Sequence, residues 1–290
     1  MKPAPFTYHR PKTLDEALKL LAEVADEDGR VLAGGQTLVP MMALRIAFPT
    51  HLVDINAITE LETIAVENGA LVIGALARHA AFYKPQAPAP LGPVMQLMAK
   101  HIAHHPVRTR GTFCGSLANA DPASEWALLA VTMDAIMIAA STKGTREIAA
   151  NEFFFGPMAT DLDEEELLKE VRIHLPDSND IAGFYEFNRR AGDFALGMSL
   201  CVLGIEDNRI VRARVGLGGI EDTPRRLTEV EEALIGQTPT EEVFRSAAEL
   251  AADAVEPLVD PQTSAEYRRS LAPVVVRRAL EQAMRSACSS

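Results

Sequence analysis

Apolar positions from Leu14 recur at helical spacing, and Thr13 with Glu16 forms a capping box, so a helix is expected there, ended by Gly29. Arg30–Ala33 reads as a short strand broken by Gly34-Gly35, and Leu38–Leu44 as a short helix with Pro40 tolerated in its first turn. His51–Ile55 reads as a strand, which makes residues 1–55 a small β-α-β-like unit with the glycine pair in its central turn. Residues 61–75 predict two strands joined at Glu67-Asn68-Gly69. A helix over 91–105 carries Val94, Leu97, Met98 and Ile102, and a second runs from Ser124 to Met133. Ala135–Ala139 is a strand, turned back at Thr142-Lys143-Gly144 into Thr145–Ile148. The acidic run Asp161–Glu166 reads as a solvated surface loop, and Val171–Leu175 alternates as a strand that stops at Pro176.

Polar Asp177-Ser178-Asn179-Asp180 is the best boundary in the chain. Beyond it, Phe184–Phe187, Ala195–Ile205 and Ile210–Leu217 predict an antiparallel meander, and 227–235, 240–254 and 264–286 predict helices. Runs of strands followed by runs of helices give the α+β class. The expected division is 1–176, with subdomains of 1–58 and 59–176, followed by 181–286.

The 290 residues are 48 % apolar and 23 % charged, so ordinary cores are affordable without disulfides or structural metals. A net charge of −12 argues against nucleic acid as a partner. It also means that an anionic ligand must be held by backbone dipoles and a few local arginines. Cys114, Cys201 and Cys288 are scattered, neither a disulfide framework nor the thiolate set of an iron–sulfur cluster. The opening Met1-Lys2-Pro3 leads into no apolar run, and no stretch reaches membrane-spanning length; a cytoplasmic protein is the expectation.

Two small-residue segments carry the candidate chemistry: Ala33-Gly34-Gly35-Gln36-Thr37-Leu38, and Gly111 to Pro122. Backbone N–H groups in such turns bind phosphate oxygens, especially where a helix begins just after. Two of them suit a large ligand gripped from both sides, such as a dinucleotide with a central pyrophosphate. The spacing is not G-x-G-x-x-G, and no acidic residue ends a second strand at the right distance, so a Rossmann site is not expected. Arg108 and Arg110 either offset phosphate charge or form surface ion pairs. Ser124 or Asp121 caps the next helix and can still line a pocket. His101 and His105 share a helix face at i, i+4, but no carboxylate partner is evident and no metal site is expected. His79 reads as a loop residue.

The combination Ala33–Pro40 (AGGQTLVP), Leu52–Ile55 and Arg110-Gly111-Thr112-x-x-Gly115-Ser116-Leu117-Ala118 resembles the FAD-binding medium subunits of molybdenum hydroxylases, the group of xanthine dehydrogenase, carbon monoxide dehydrogenase and quinoline oxidoreductase. Glu166-Leu167-Leu168-x-x-Val171, Phe187-x-Arg189-Arg190-x-Gly192-Asp193-Phe194-Ala195 and Ala213–Gly219 continue the likeness from Phe6 to about Leu280. The resemblance implies a vanillyl-alcohol-oxidase (PCMH)-like two-part FAD-binding domain followed by an α+β C-terminal domain. By it, 33–37 and 112–116 embrace the pyrophosphate, and Leu32, Leu38, Gly111 and Ala118 are further cofactor-binding positions. Ile102 falls against the flavin nucleotide. Asn119, Ser124 and Glu125 fall on ribityl and ribose hydroxyls, and Leu167 and Leu168 on a ring of the cofactor. Cys114 stands where the family usually has Gly, so the loop must tolerate a Cβ. The implied activity is electron transfer by non-covalent FAD, with no catalytic side chain and no metal in this chain. The implied partners are a small [2Fe–2S] subunit and a large molybdopterin subunit, in a heterotrimer doubled by symmetry. A stand-alone flavoprotein dehydrogenase or oxidase of the same fold, and a nucleotide-binding module without redox chemistry, are the alternatives.

Overall fold

The computed structural model describes residues 2–287, so Cys288 lies outside the described residues. The chain opens with β1 (Thr7–His9), α1 (Leu14–Val24), β2 (Gly29–Leu32), α2 (Leu38–Leu44) and β3 (His51–Asp54). The three strands form a parallel sheet in the order β1-β3-β2. The first strand was not expected from the pattern: its three residues are too few to show a period. Thr13 caps α1 by accepting from Glu16 N at 3.2 Å, while the Glu16 carboxylate accepts from Lys12 N at 2.8 Å, one residue before the cap.

A second lobe follows: β4 (Ile64–Glu67), β5 (Ala70–Gly74), α3 (Leu91–His101), α4 (His105–Arg108), α5 (Phe113–Asn119), α6 (Glu125–Thr132), β6 (Ile136–Ser141), β7 (Gly144–Ala149), α7 (Ala150–Phe153), β8 (Phe154–Gly156), β9 (Ala159–Thr160) and β10 (Leu167–His174). Its five-stranded antiparallel sheet runs β4-β5-β10-β6-β7. The expected helix over 91–105 breaks after His101. Pro106 has no N–H to give the Ile102 carbonyl, and Arg108 Nη1 donates to it instead, at 2.6 Å. Ala103 takes a positive φ of 40° at the break. The break separates His101 from His105, so they do not share a helix face.

The run 113–119 is a helix although it read as a loop. Phe113, Cys114 and Leu117 are buried on its inner side, leaving the small residues outward. Phe113, Phe82 and Trp126 pack as one aromatic cluster, with ring centroids 4.9–5.7 Å apart. The strand expected at 171–175 begins at Leu167, bulges between Leu168 and Glu170, and lies between two neighbours. The acidic run is tethered rather than free: Arg146 binds Glu166 and Asp161, and Lys143 binds Glu165.

The chain ends with the antiparallel meander β11 (Ile181–Phe187), β12 (Gly197–Glu206), β13 (Arg209–Gly218) and β14 (Arg225–Arg226), then α8 (Thr228–Leu234), α9 (Glu241–Ala254) and α10 (Ala265–Ala287). This is the α+β class read from the pattern. Two hydrophobic clusters fill the molecule. One, around Trp126 and Leu129, reaches across to Phe184 and Met198; the other, around Leu203, Phe244 and Val276, lies between the meander and α8–α10.

At Gly183 of β11 the long helix α10 comes so close that an added Cβ would sit 2.1 Å from the Ala279 carbonyl oxygen. Gly183→Ala is therefore expected to force α10 off the sheet and lower stability by about 1–3 kcal/mol. Urea unfolding followed by circular dichroism checks it, and an unchanged midpoint would contradict the close packing.

Candidate functional site

The two glycine segments meet. A Cβ on Gly34 would lie 2.5 Å from the Arg110 carbonyl oxygen and 2.7 Å from Gly111 Cα, so only glycine lets the two backbones touch. Gly35 turns the chain at φ 68°, a conformation that costs other residues strain. The junction is tied by side chains. Asn56 Nδ2 donates to the Ala33 carbonyl at 2.8 Å, Arg78 Nη2 donates to Asn56 Oδ1 at 2.5 Å, and Arg78 Nη1 donates to the Arg110 carbonyl. Asn56 is in turn held by Asp54 Oδ1, while Asp54 Oδ2 accepts from Tyr8. Burial raises the proton affinity of Asp54, but the bonds from Tyr8 and Asn56 outweigh it and hold the carboxyl below its usual range. Burial also lowers the pKa of Arg78.

A cleft of about 510 Å³ opens along this junction. Leu32, Ala33, Gly34, Gly35, Gln36, Thr37 and Leu38 line one side of it. Gly111, Thr112, Gly115, Ser116, Ala118, Asn119, Ser124 and Glu125 line the other, with Ile102 among them. Thr112 caps α5, accepting from Gly115 N at 3.1 Å, and Ser124 caps α6 while its hydroxyl meets that of Ser116 at 2.8 Å. Asp121 lines the cleft as well, and burial raises its carboxyl above the usual range.

Leu167 and Leu168 are not in this cleft. They line an adjoining cavity of about 330 Å³ on the other side of α5. The two spaces share Arg30, Val31, Ala33, Gly115 and Ala118, which form a waist between them. Cys114 faces this second space and the core, its Sγ 3.6 Å from the Ile73 carbonyl, so its Cβ leaves the larger cleft undisturbed. Burial pushes the thiol up, which makes it unreactive.

Neither Arg108 nor Arg110 lines the cleft. Arg108 is spent on the carbonyls of Ile102 and Ala103 and on Tyr83. The cation at the waist is Arg30, paired with Asp28 at 2.9 Å. Three further contributors come from the C-terminal lobe: Gly192, Asp193 and Phe194, the last 63 % exposed. The Gly192 turn packs on the His104 ring. His79, read from sequence as a loop residue, is 5 % exposed and lines the cleft. Its Nδ1 accepts from Trp126 Nε1 at 2.9 Å, which assigns the ring proton to Nε2, beside Gly111. Burial, reinforced by the charges of Arg78 and Arg108, pushes its pKa down to about 4.

Among the described residues no cluster of side chains can hold a metal ion. The donor set instead suits an extended polyol phosphate: glycine backbone at the waist, hydroxyls and amides along α5, and buried carboxyls to receive sugar hydroxyls.

Residues 4–177 match the family of the FAD binding domain in molybdopterin dehydrogenase, and 182–283 match the CO dehydrogenase flavoprotein C-terminal domain. Caffeine dehydrogenase subunit beta of a Pseudomonas species is 37 % identical, over 98 % of this chain and 96 % of its own length. The chain belongs to the FAD-binding medium subunits of the molybdenum hydroxylases. The carbon monoxide dehydrogenase medium chain of Hydrogenophaga pseudoflava is 34 % identical over 98 % of both chains. Quinoline 2-oxidoreductase of Pseudomonas putida 86 superimposes with a TM-score of 0.92 at 36 % identity, covering 99 % of each chain. As a medium subunit the chain is an oxidoreductase component with an FAD-binding domain. No helix among the described residues is long and apolar enough to cross a membrane.

The buried neutral His79 has a stability consequence. Its folded pKa of about 4 lies below the unfolded value, so its contribution is complete above about pH 6.5 and is lost as pH falls towards 4. The loss is on the order of 3 kcal/mol. The urea midpoint of the wild type should fall more steeply across that window than that of His79→Gln; parallel curves would show that the imidazole protonates freely in the fold.

Proposed function

We propose that this chain is the FAD-carrying electron-transfer subunit of a molybdenum hydroxylase, taking electrons from [2Fe–2S] clusters of a partner and passing them to an external acceptor. The observation that carries the reading is the waist: two cavities joined where two glycine segments touch. When bound, FAD supplies redox chemistry that accepts electrons singly from clusters and releases them in pairs. The protein's own part is to hold and shape. Ala33–Thr37 and the N-terminal turn of α5, with Arg30 beside them, would hold the pyrophosphate at the waist. Leu167 and Leu168 would take one ring system in the smaller cavity. Asn119, Ser124 and Glu125 would meet hydroxyls in the larger cleft, where Ile102 and Phe194 would border the other ring system. No residue here acts as acid or base on a substrate.

The division that goes with this is a FAD-binding domain over 1–176, in subdomains of about 1–58 and 59–176, and a C-terminal domain over 181–286. The partners are a small [2Fe–2S] subunit and a large molybdopterin subunit, in a doubled heterotrimer located in the cytoplasm. Two observations support this: among the described residues the cysteines, Cys114 and Cys201, are both buried, and the relatives include carbon monoxide dehydrogenase medium chains.

Mild purification from the native source should bring down iron- and molybdenum-containing companions and a yellow chromophore that acid precipitation releases into the supernatant. A chain that elutes alone and oxidises a small organic substrate would overturn the subunit reading in favour of a stand-alone flavoenzyme. Gly35→Val puts a branched side chain at φ 68°, a strain of about 1–3 kcal/mol, and should cut flavin content tenfold or more while the C-terminal core stays folded. Full flavin content in that variant would reduce Gly35 to an ordinary turn residue.

A further inference from the structure

The small parallel sheet carries a helix that its own chain leaves largely uncovered. Every residue of α2, Leu38-Val39-Pro40-Met41-Met42-Ala43-Leu44, is apolar, yet only Met42 is buried. The turn that follows leaves Ile46 and Phe48 in the open, and together with Val39 and Leu44 these residues are 50–63 % exposed. A helix apolar on all sides belongs in a core or an interface. Beside it runs the opening segment of the chain. Arg45 Nε donates to the Lys2 carbonyl at 3.4 Å, and Thr7 N donates to the Thr50 carbonyl at 2.8 Å. The strand β1 pairs with β3 and is an edge of its sheet. Phe6 and Tyr8, both exposed, extend the apolar surface along that edge.

The charge around this face is opposite in sign to that of the molecule. Residues 1–13 and 30–53 contain Lys2, Arg10, Lys12, Arg30 and Arg45, and none of the 40 acidic residues of the chain. The flanking carboxylates are engaged: Asp28 pairs with Arg30, Glu27 with His51, and Asp54 accepts from Tyr8 and Asn56. An apolar centre with a basic rim therefore stands out from a protein of net charge −12. Two copies meeting here about a two-fold axis would bring like charges together. The surface complementary to it belongs to a different protein, apolar at its centre and acidic at its rim.

The face is continuous with the cofactor cleft. Leu38, the first residue of α2, lines the cleft, and a Cβ on Gly35 would lie 3.1 Å from Val39. Tyr8 connects to the same loop from the strand edge: its hydroxyl donates to Asp54, which holds Asn56 on the Ala33 carbonyl. A protein seated on α2 thus lies against the glycine loop. We infer that this face, formed by 2–8 and 38–48, docks the cluster-carrying partner subunit, and that the partner meets it with an acidic surface. The inference rests on the reading of the chain as an electron-transfer subunit. Electron transfer slows steeply with distance, so the donor must sit close to the cofactor, and this is the uncovered apolar surface that runs to the cleft. Burial of the apolar centre holds the two chains together, and the cations steer and orient the approach.

Two measurements test this. Hydrogen exchange is compared between the intact complex and the isolated full chain: amides in 38–48 should exchange at least about tenfold more slowly in the complex. Calorimetry then gives the Kd of the chain for the purified small [2Fe–2S] subunit. Ile46→Glu should raise it about tenfold or more, by placing an unpaired charge in a buried centre. Arg45→Glu should raise it too, and should make it less sensitive to salt than the wild type. Neither residue lines the cleft, so flavin content equal to wild type shows that each variant is folded. Exchange rates that coincide in the complex and the isolated chain, or a Kd unmoved by both variants, overturn the inference. Protection of 38–48 by the large molybdopterin subunit alone, by a second copy of this chain, or by vesicles of anionic phospholipid assigns the face to another occupant and overturns it equally. Docking through this face by a chain that takes up no FAD upholds the surface and defeats the FAD reading; normal FAD binding with the face uncovered in the complex defeats the docking alone.

Discussion

The contact between Gly34 and the Arg110–Gly111 backbone is the constraint on which the rest of the site depends. It joins a loop of the small parallel sheet to a loop of the second lobe, and both cavities are defined by what lies on either side of it. Backbone against backbone leaves no room for side chains, so the junction is locked from behind by Asn56 and Arg78. Even a half-buried guanidinium is costly unless its donors are satisfied; here they are spent on an amide oxygen and a carbonyl. Short pairings reinforce the same seam: Phe113 N donates to the Ala77 carbonyl at 2.8 Å and His79 N to the Gly111 carbonyl at 3.0 Å.

An acidic protein that holds an anionic cofactor must manage charge locally. With a net charge of −12, this chain has no basic field to offer. The residues that looked most suited to phosphate in the sequence do other work, Arg108 completing the broken helix end where Pro106 lacks an N–H. Backbone amides and one strand arginine, Arg30, remain at the waist. The carboxyls of Asp121 and Glu125, which line the cleft, are both raised by burial, so it carries less negative charge than its composition suggests.

Local features were readable from the sequence. A strand running into Gly34-Gly35, with Gln36 and Thr37 after it, announces a cradle, and every residue named in that loop lines the cleft. The Thr13 cap, and the turn at Asn68 and Gly69, two residues at positive φ in the structure, were equally local signals for α1 and the β4–β5 hairpin. What escaped was long-range. Asn56 and Arg78 act on carbonyls 23 and 32 residues away, and nothing in their own neighbourhoods marks them. The α5 helix was hidden because its outward face consists of the small residues that border the cleft, which read as loop. Leu167 and Leu168 entered the expectation only through the family likeness, because a β-bulge next to them spoils the alternation. His79 was passed over because a lone histidine after a strand gives no hint that Trp126, 47 residues on, fixes its tautomer.

The most direct test of the account is a crystal structure of this chain with FAD bound. The dinucleotide should cross the waist with its pyrophosphate against Ala33–Thr37 and the start of α5, one ring system beside Leu167 and Leu168 and the other beneath Phe194. A cofactor lying wholly in one cavity, or a pyrophosphate away from Gly34 and Gly35, would contradict it.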